Sequence, residues 1–218
     1  MKKFLKLTTV VVSMVMALAF VSCANGNENG QLNLVGTYGL SKVEIYQKDS
    51  NLESSITTTM PTSTSIRQYG TKKVTTDKTT TVMEMDVTIT KTEDGYPFDW
   101  VKYNINGQAA SEDAKSQIEN AFTGTQWDAI TASFAMTYTT TADGTWSDNS
   151  NPASSGTYTV DEANSKVIMK TLIEKGKNLE TPINEELTYS DNGKTFVFVV
   201  DQSSEEGTYK MTMTLTRK

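Results

Sequence analysis

The chain of 218 residues has no histidine, one cysteine and no apolar run long enough for a comfortable membrane span. Each absence removes a class of function. Without histidine there is no Ser-His-Asp triad, no Cys-His pair and no zinc site of the usual His-containing kind. With Cys23 alone, no disulfide can form within the chain, so the fold must be held by a core of its own. The longest apolar stretch, Leu7 to Val21, is broken by Thr8, Thr9 and Ser13. It falls short of the ~20 apolar residues that cross a bilayer as a helix.

Basic charge is scarce as well. Twenty Lys and Arg face 26 Asp and Glu, a net charge of −6. Without Lys2, Lys3 and Lys6 the balance is 17 against 26, or −9. Nucleic acids and anionic membrane surfaces attract Lys/Arg-rich faces, so neither is expected as a partner. No Asp-x-[Asp/Asn]-x-[Asp/Asn]-Gly run supplies a Ca²⁺ loop, and nothing in the chain sets a nucleophile beside a base. The expectation is a protein that is not an enzyme and carries no cofactor.

What is present begins with a secretory layout over residues 1–22: three lysines, an apolar stretch, and Ser22 just before Cys23. An ordinary A-x-A-like cleavage site wants a small residue three before the cut, and Phe20 is bulky. Phe20-Val21-Ser22-Cys23 instead resembles the lipobox of bacterial lipoproteins. That resemblance implies a diacylglyceryl thioether on Cys23 and an acylated amino group. One acyl chain binds a membrane only marginally, whereas two or three anchor stably. Ala24-Asn25-Gly26-Asn27-Glu28-Asn29-Gly30 is too polar to bury anything, so residues 23–32 read as a flexible tether. The implied location is the bacterial cell envelope, on the periplasmic or surface face of the outer membrane.

The remaining residues, 33–218, suit one large β domain better than two small ones. Period-2 alternation recurs along them, the mark of strands half buried on one face. Met83, Met85, Val87 and Ile89 alternate with Glu84, Asp86, Thr88 and Thr90. Phe134 to Tyr138, Gly156 to Val160, Val167 with Met169, Leu187 with Tyr189, Phe196 with Phe198, and Tyr209 to Leu215 repeat the design. Asp143-Gly144, Asp191-Asn192-Gly193 and Glu206-Gly207 mark turns between them. Leu34 to Leu40 and Val43 to Ile45 differ in phase, which predicts a bulge or bend near Ser41. Asp49 to Asp77 reads as two short strands, with Pro61 interrupting the extended chain or marking an edge.

One segment has helical spacing. Ala114, Ile118, Ala121 and Phe122 recur at helix period, with Ser111 as N-cap, Glu112 and Asp113 in the first turn and Gly124 beyond the end. The reading is a single short helix laid over the sheet, with Trp127 and Ile130 extending its cover. About nine strands with one helix and no βαβ alternation predict an all-β antiparallel barrel, with a β-sandwich as the alternative.

Leu34-Val35-Gly36-Thr37-Tyr38-Gly39-Leu40 resembles the first strand of the bacterial lipocalin-like families, and Phe134–Trp146 followed by Ser155–Asp161 resembles their strand, Asp-Gly turn, Ser-Gly-Thr-Tyr stretch. The resemblance implies an up-and-down barrel of about eight strands that encloses a small apolar or amphipathic ligand. It also implies that Arg217 packs across Tyr38, near Gly36, to close the barrel bottom. Candidate ligand contacts are Trp100, Tyr103, Trp127, Met136, Tyr138 and Trp146, whose alternative role is ordinary core. The methionines alternate with other apolar residues, as core filler does, and a soft-metal site is the minor alternative. Acidic pairs Asp161-Glu162, Glu185-Glu186 and Glu205-Glu206 read as solvated turns or strand ends. The chain is therefore expected to be a monomeric, membrane-anchored binding barrel. The alternative is a solid barrel whose loops, such as 143–155, meet a protein or glycan.

Overall fold

The computed structural model describes residues 32–204 and 207–218. Thirteen strands follow one another in the sequence: β1 (Gly36–Lys48), β2 (Leu52–Thr62), β3 (Ser65–Thr76), β4 (Thr79–Thr90), β5 (Phe98–Ile105), β6 (Gln108–Ala109), β7 (Thr137–Thr140), β8 (Thr145–Asp148), β9 (Ser155–Asp161), β10 (Lys166–Glu174), β11 (Lys177–Ser190), β12 (Thr195–Ser204) and β13 (Gly207–Arg217). Strands β7 to β13 pair in sequence order, β7 pairs with β1, and β13 returns to β1. These eight strands close an antiparallel barrel, which decides against the sandwich. Strands β2 to β6 continue from the second half of β1 and lie outside the ring.

The partner of β1 changes at the place where its sequence changes phase. Gly36–Gly39 pairs with β7, whereas Lys42–Lys48 pairs with β2, and the switch spans Ser41. The chain divides at the same place into two compact units. The first holds the described residues up to Leu40, Ala135–Phe198 and Leu215–Lys218. The second holds Ser41–Phe134 and Val199–Thr214.

In the first unit the buried faces follow the alternation. Tyr138 and Thr140 on β7, Trp146 and Asp148 on β8, Gly156 and Tyr158 on β9, Val167, Met169 and Thr171 on β10, and Leu187 on β11 are all buried. The β10–β11 hairpin turns on Lys175 and Gly176, both at positive φ, the signature of the two-residue type I′ turn that suits strand twist.

The second unit corrects two expectations. Between Asp49 and Asp77 the strands are long, 11 and 12 residues, rather than short. Thr-rich polar sequence hides them, and cross-strand charge pairs support them: Lys73 to Glu53 at 3.2 Å and a two-pronged Arg67–Asp86 contact at 2.9 and 2.7 Å. Pro61 sits where the β2–β3 register shifts, between Thr59 and Thr62.

Among the described residues there are also two helices where the spacing predicted one: α1 (Glu112–Ala121) and α2 (Gly124–Ala135). Ser111 caps α1, its Oγ accepting from Ala114 N at 3.3 Å. Phe122 is extended and ends the helix, and Ala121 is exposed rather than packed. Gly124 opens α2 instead of terminating α1, because Thr123 and Gln126 form half of a capping box: Thr123 N donates to Gln126 Oε1 at 2.8 Å. The helix carries Trp127 into a core with Ile66 and Ile89, bordered by Tyr96, Phe98, Phe122 and Ile130. Among the described residues no helix is long and apolar enough to cross a membrane.

Candidate functional site

Cys23 and the whole anchoring segment lie outside the described residues, as does the pair Glu205-Glu206. The six aromatic and methionine candidates fall into two groups. Trp100, Tyr103 and Trp127 belong to the second unit, and Met136, Tyr138 and Trp146 to the first.

In the second unit Trp100 and Tyr103 stack with ring centroids 5.1 Å apart, and Phe98 lies 5.7 Å from Trp100. Trp100 Nε1 donates to Glu119 Oε1 on α1 at 2.7 Å. Trp127 does not join that stack. It is 3 % exposed and packs against Tyr96 at 5.5 Å, as core.

At one place in the first unit, Tyr38 and Arg217 meet. Arg217 Cζ stands 5.4 Å from the Tyr38 ring centroid, and its Nη2 donates to Tyr38 Oη at 2.8 Å, to Gly193 O at 3.2 Å and to Asn33 O. Tyr38 Oη in turn lies 2.7 Å from Gly193 O and packs its ring on Phe196, centroids 4.5 Å apart. A Cβ added at Gly36 would lie 3.1 Å from Arg217 Nε, so a glycine there lets the guanidinium lie flat over β1. Burial pushes the Tyr38 phenol up, and the nearby guanidinium opposes that shift. This is a structural latch, in which Arg217 Nη2 is fully engaged while Nε is buried without a partner among the described residues.

The buried strand faces of the same unit hold a different arrangement. Tyr138 on β7 stands directly opposite Asp148 on β8. Trp146 pairs with Gly156 on β9, and Gly156 with Thr171 on β10. Gly156 matters because its missing side chain leaves room for the indole. An added Cβ would lie 2.5 Å from Trp146 Nε1 and 2.1 Å from Lys170 O. Trp146 Nε1 thus lies above the residue whose other neighbour is Thr171. One step along, Glu185 on β11 faces Met169, which places it diagonal to Thr171 on the same face. Diagonal neighbours sit roughly 7–8 Å apart, within reach of long side chains.

Four polar atoms on this face are buried without a hydrogen-bond partner among the described residues: Trp146 Nε1, Asp148 Oδ2, Thr171 Oγ1 and Glu185 Oε2. Buried polar atoms are paired in the great majority of cases, so each asks for an explanation. The other oxygen of Asp148 is fully used. Oδ1 accepts from Ser150 N at 3.0 Å, Ser150 Oγ at 2.5 Å and Ser154 N at 3.0 Å, which folds the loop after β8 against it. Burial, reinforced by the charge of Glu174, pushes the Glu185 carboxyl up to about 7. Burial first, then the charges of Asp148 and Glu185, pushes the Tyr138 phenol far above its ordinary range.

Glu185 and Glu186 therefore do not form a solvated turn. Both lie inside β11, where Glu186 faces out and pairs with Lys166 at 2.6 Å while Glu185 faces in. Asp161 does sit at a strand end, accepting from Asn164 N at 3.2 Å. Residue type alone singles out neither Thr171 nor Asp148 and shows Glu185 only as half of an acidic pair, although Thr171 and Glu185 each continue a recognised alternation by two residues. Met136 is half-buried just before β7, and Met169 is buried beside Glu185. Among the described residues no three acidic, histidine or cysteine side chains converge as a metal site. No family model matches this chain, and no curated protein matches it either.

Proposed function

We propose that this protein is a lipid-anchored binding barrel of the bacterial cell envelope. Cys23 carries the acyl chains, the polar segment after it serves as tether, and the barrel holds one small amphipathic molecule. The observation that supports binding is the set of four unpartnered polar atoms set among Tyr138, Tyr158, Met169 and Leu187. An eight-stranded barrel is just wide enough to be filled by side chains or to hold one small ligand. Hydrogen-bonding atoms without partners in such an interior favour a polar occupant with an apolar remainder. The anchor reading is supported by the lipobox-like Phe20-Val21-Ser22-Cys23.

Native mass spectrometry of the protein purified from its host tests both halves. The expected spectrum contains covalent acyl mass, absent in Cys23→Ala, and a non-covalent small molecule released on mild activation. Acyl incorporation that persists in Cys23→Ala would refute the anchor. A second reading, a surface that meets a protein or glycan, is favoured by Val101, 68 % exposed in the stretch of β5 that also carries the stacked Trp100 and Tyr103.

A further inference from the structure

Resting on the reading of the barrel as a binding barrel, we propose that its occupant is a small organic cation, a primary alkylamine seated against Asp148, Glu185 and Thr171. The inventory of unfilled positions points that way. Asp148 Oδ2 and Glu185 Oε2 are acceptors, and Thr171 Oγ1 accepts as well as donates. Three acceptor positions therefore face one obligatory donor, Trp146 Nε1. An ammonium group offers three donors and no acceptor, which matches the acceptor side of this set.

Charge agrees with hydrogen bonding. Among the described residues no Lys or Arg pairs with Asp148, Glu174 or Glu185. The cations of this unit are engaged or face elsewhere: Lys166 is held by Glu186, Arg217 by Tyr38 and carbonyl oxygens, and Lys170, Lys175, Lys177, Lys194 and Lys218 are exposed. Buried carboxylates ordinarily have a counter-charge or a metal. Here the fold provides neither from its described residues, and a ligand cation supplies the missing sign. Tyr138, Trp146 and Tyr158 are buried on the same strand faces, and aromatic rings attract cations further.

The acidic side chains do not carry this inference alone. Thr171 is 0 % exposed, Trp146 2 % and Asp148 7 %, and each carries an unpartnered polar atom on the same buried face of neighbouring strands. A metal ion would need three or more converging ligands of the hard or imidazole kind, which the described residues do not bring together. An ammonium group tolerates the looser spacing.

The test is calorimetric titration of the purified full-length protein at pH 7.5 with three probes of equal chain length: n-octylamine, 1-octanol and octanoate. Intrinsic tryptophan fluorescence serves as a second readout through Trp146. The expected result is saturable binding of octylamine at least tenfold tighter than octanol, with octanoate weakest. Glu185→Gln should bring octylamine to within about threefold of octanol while leaving octanol unchanged, and Asp148→Asn and Thr171→Val should each weaken octylamine alone. Near-UV circular dichroism checks that each variant keeps its packing. If octanol or octanoate binds as well as the amine, the cation inference fails while the binding barrel stands. If none of the three binds and tryptophan emission does not move, with water filling the site, both fail together.

Discussion

Arg217 Nη2 donates to Tyr38 Oη across 2.8 Å, joining the penultimate residue of the chain to its first barrel strand. The same guanidinium reaches Gly193 O at 3.2 Å and lies over the Tyr38 ring. Removing it strips several carbonyl and hydroxyl oxygens of their donor in a partly buried place. Arg217→Ala is expected to cost about 2–4 kcal/mol, and Tyr38→Phe, which loses one hydroxyl and keeps the ring, about 1 kcal/mol. Urea unfolding of the two variants checks the order. Equal losses would mean that the contact at Tyr38 Oη accounts for all that Arg217 contributes, and that its bonds to the carbonyl oxygens add nothing.

Glu185 predicts an unusual pH dependence. The unfolded chain releases this proton at the ordinary glutamate value, roughly 4.3. The folded chain holds it to about 7, because burial and the neighbouring Glu174 disfavour the charge. Between those values the folded state binds the extra proton, so stability falls as pH rises from about 4.3 to 7 and is flat above. The loss amounts to at most about 4 kcal/mol. Glu53, Glu84 and Asp86, held low by Lys73, Lys102 and Arg67, act with the opposite sign and only below the ordinary carboxylate range. Urea midpoints at pH 5, 6, 7 and 8 should therefore decline in the wild type and stay level in Glu185→Gln. A parallel decline in both would remove Glu185 as the cause.

Gly156 tests the packing around the indole. A methyl group here meets Lys170 O, a backbone atom that cannot swing away, at 2.1 Å and Trp146 Nε1 at 2.5 Å. Gly156→Ala should destabilise by about 1–3 kcal/mol through overpacking and should shift tryptophan emission, because the ring must move. Unchanged emission and stability would show that Trp146 does not lie over this residue.

Much of this was legible in the alternation. The strand phases of Val167 with Met169 and of Leu187 with Tyr189 mark the buried face, and two more residues along each lie Thr171 and Glu185. A polar residue in the buried phase looks like solvent exposure when it is read by residue type. Asp148 follows Trp146 in the same way. Partner choice was less accessible. Nothing in the period of β1 says that its second half pairs with β2 or that β13 returns to it, since alternation reports faces and not neighbours. In the helical segment, Gly124 looked like a stop, yet Thr123 and Gln126 stand at capping-box spacing and start a second helix.

That second helix gives the last prediction. Trp127 and Trp100 belong to the same unit and look equivalent in the sequence, but they occupy different environments. Trp127 is 3 % exposed against Ile66, Ile89 and Tyr96, whereas Trp100 is half-buried and held by Glu119 and the Tyr103 ring. Truncating a large buried ring costs about 3–5 kcal/mol, because neither solvent nor neighbours fill the space. Trp127→Ala should lose that much in urea unfolding. Trp100→Ala should lose markedly less, about 1–2 kcal/mol for a partly solvated ring and one charge-assisted hydrogen bond. If the two losses were equal, α2 would not be carrying Trp127 into the core of this unit.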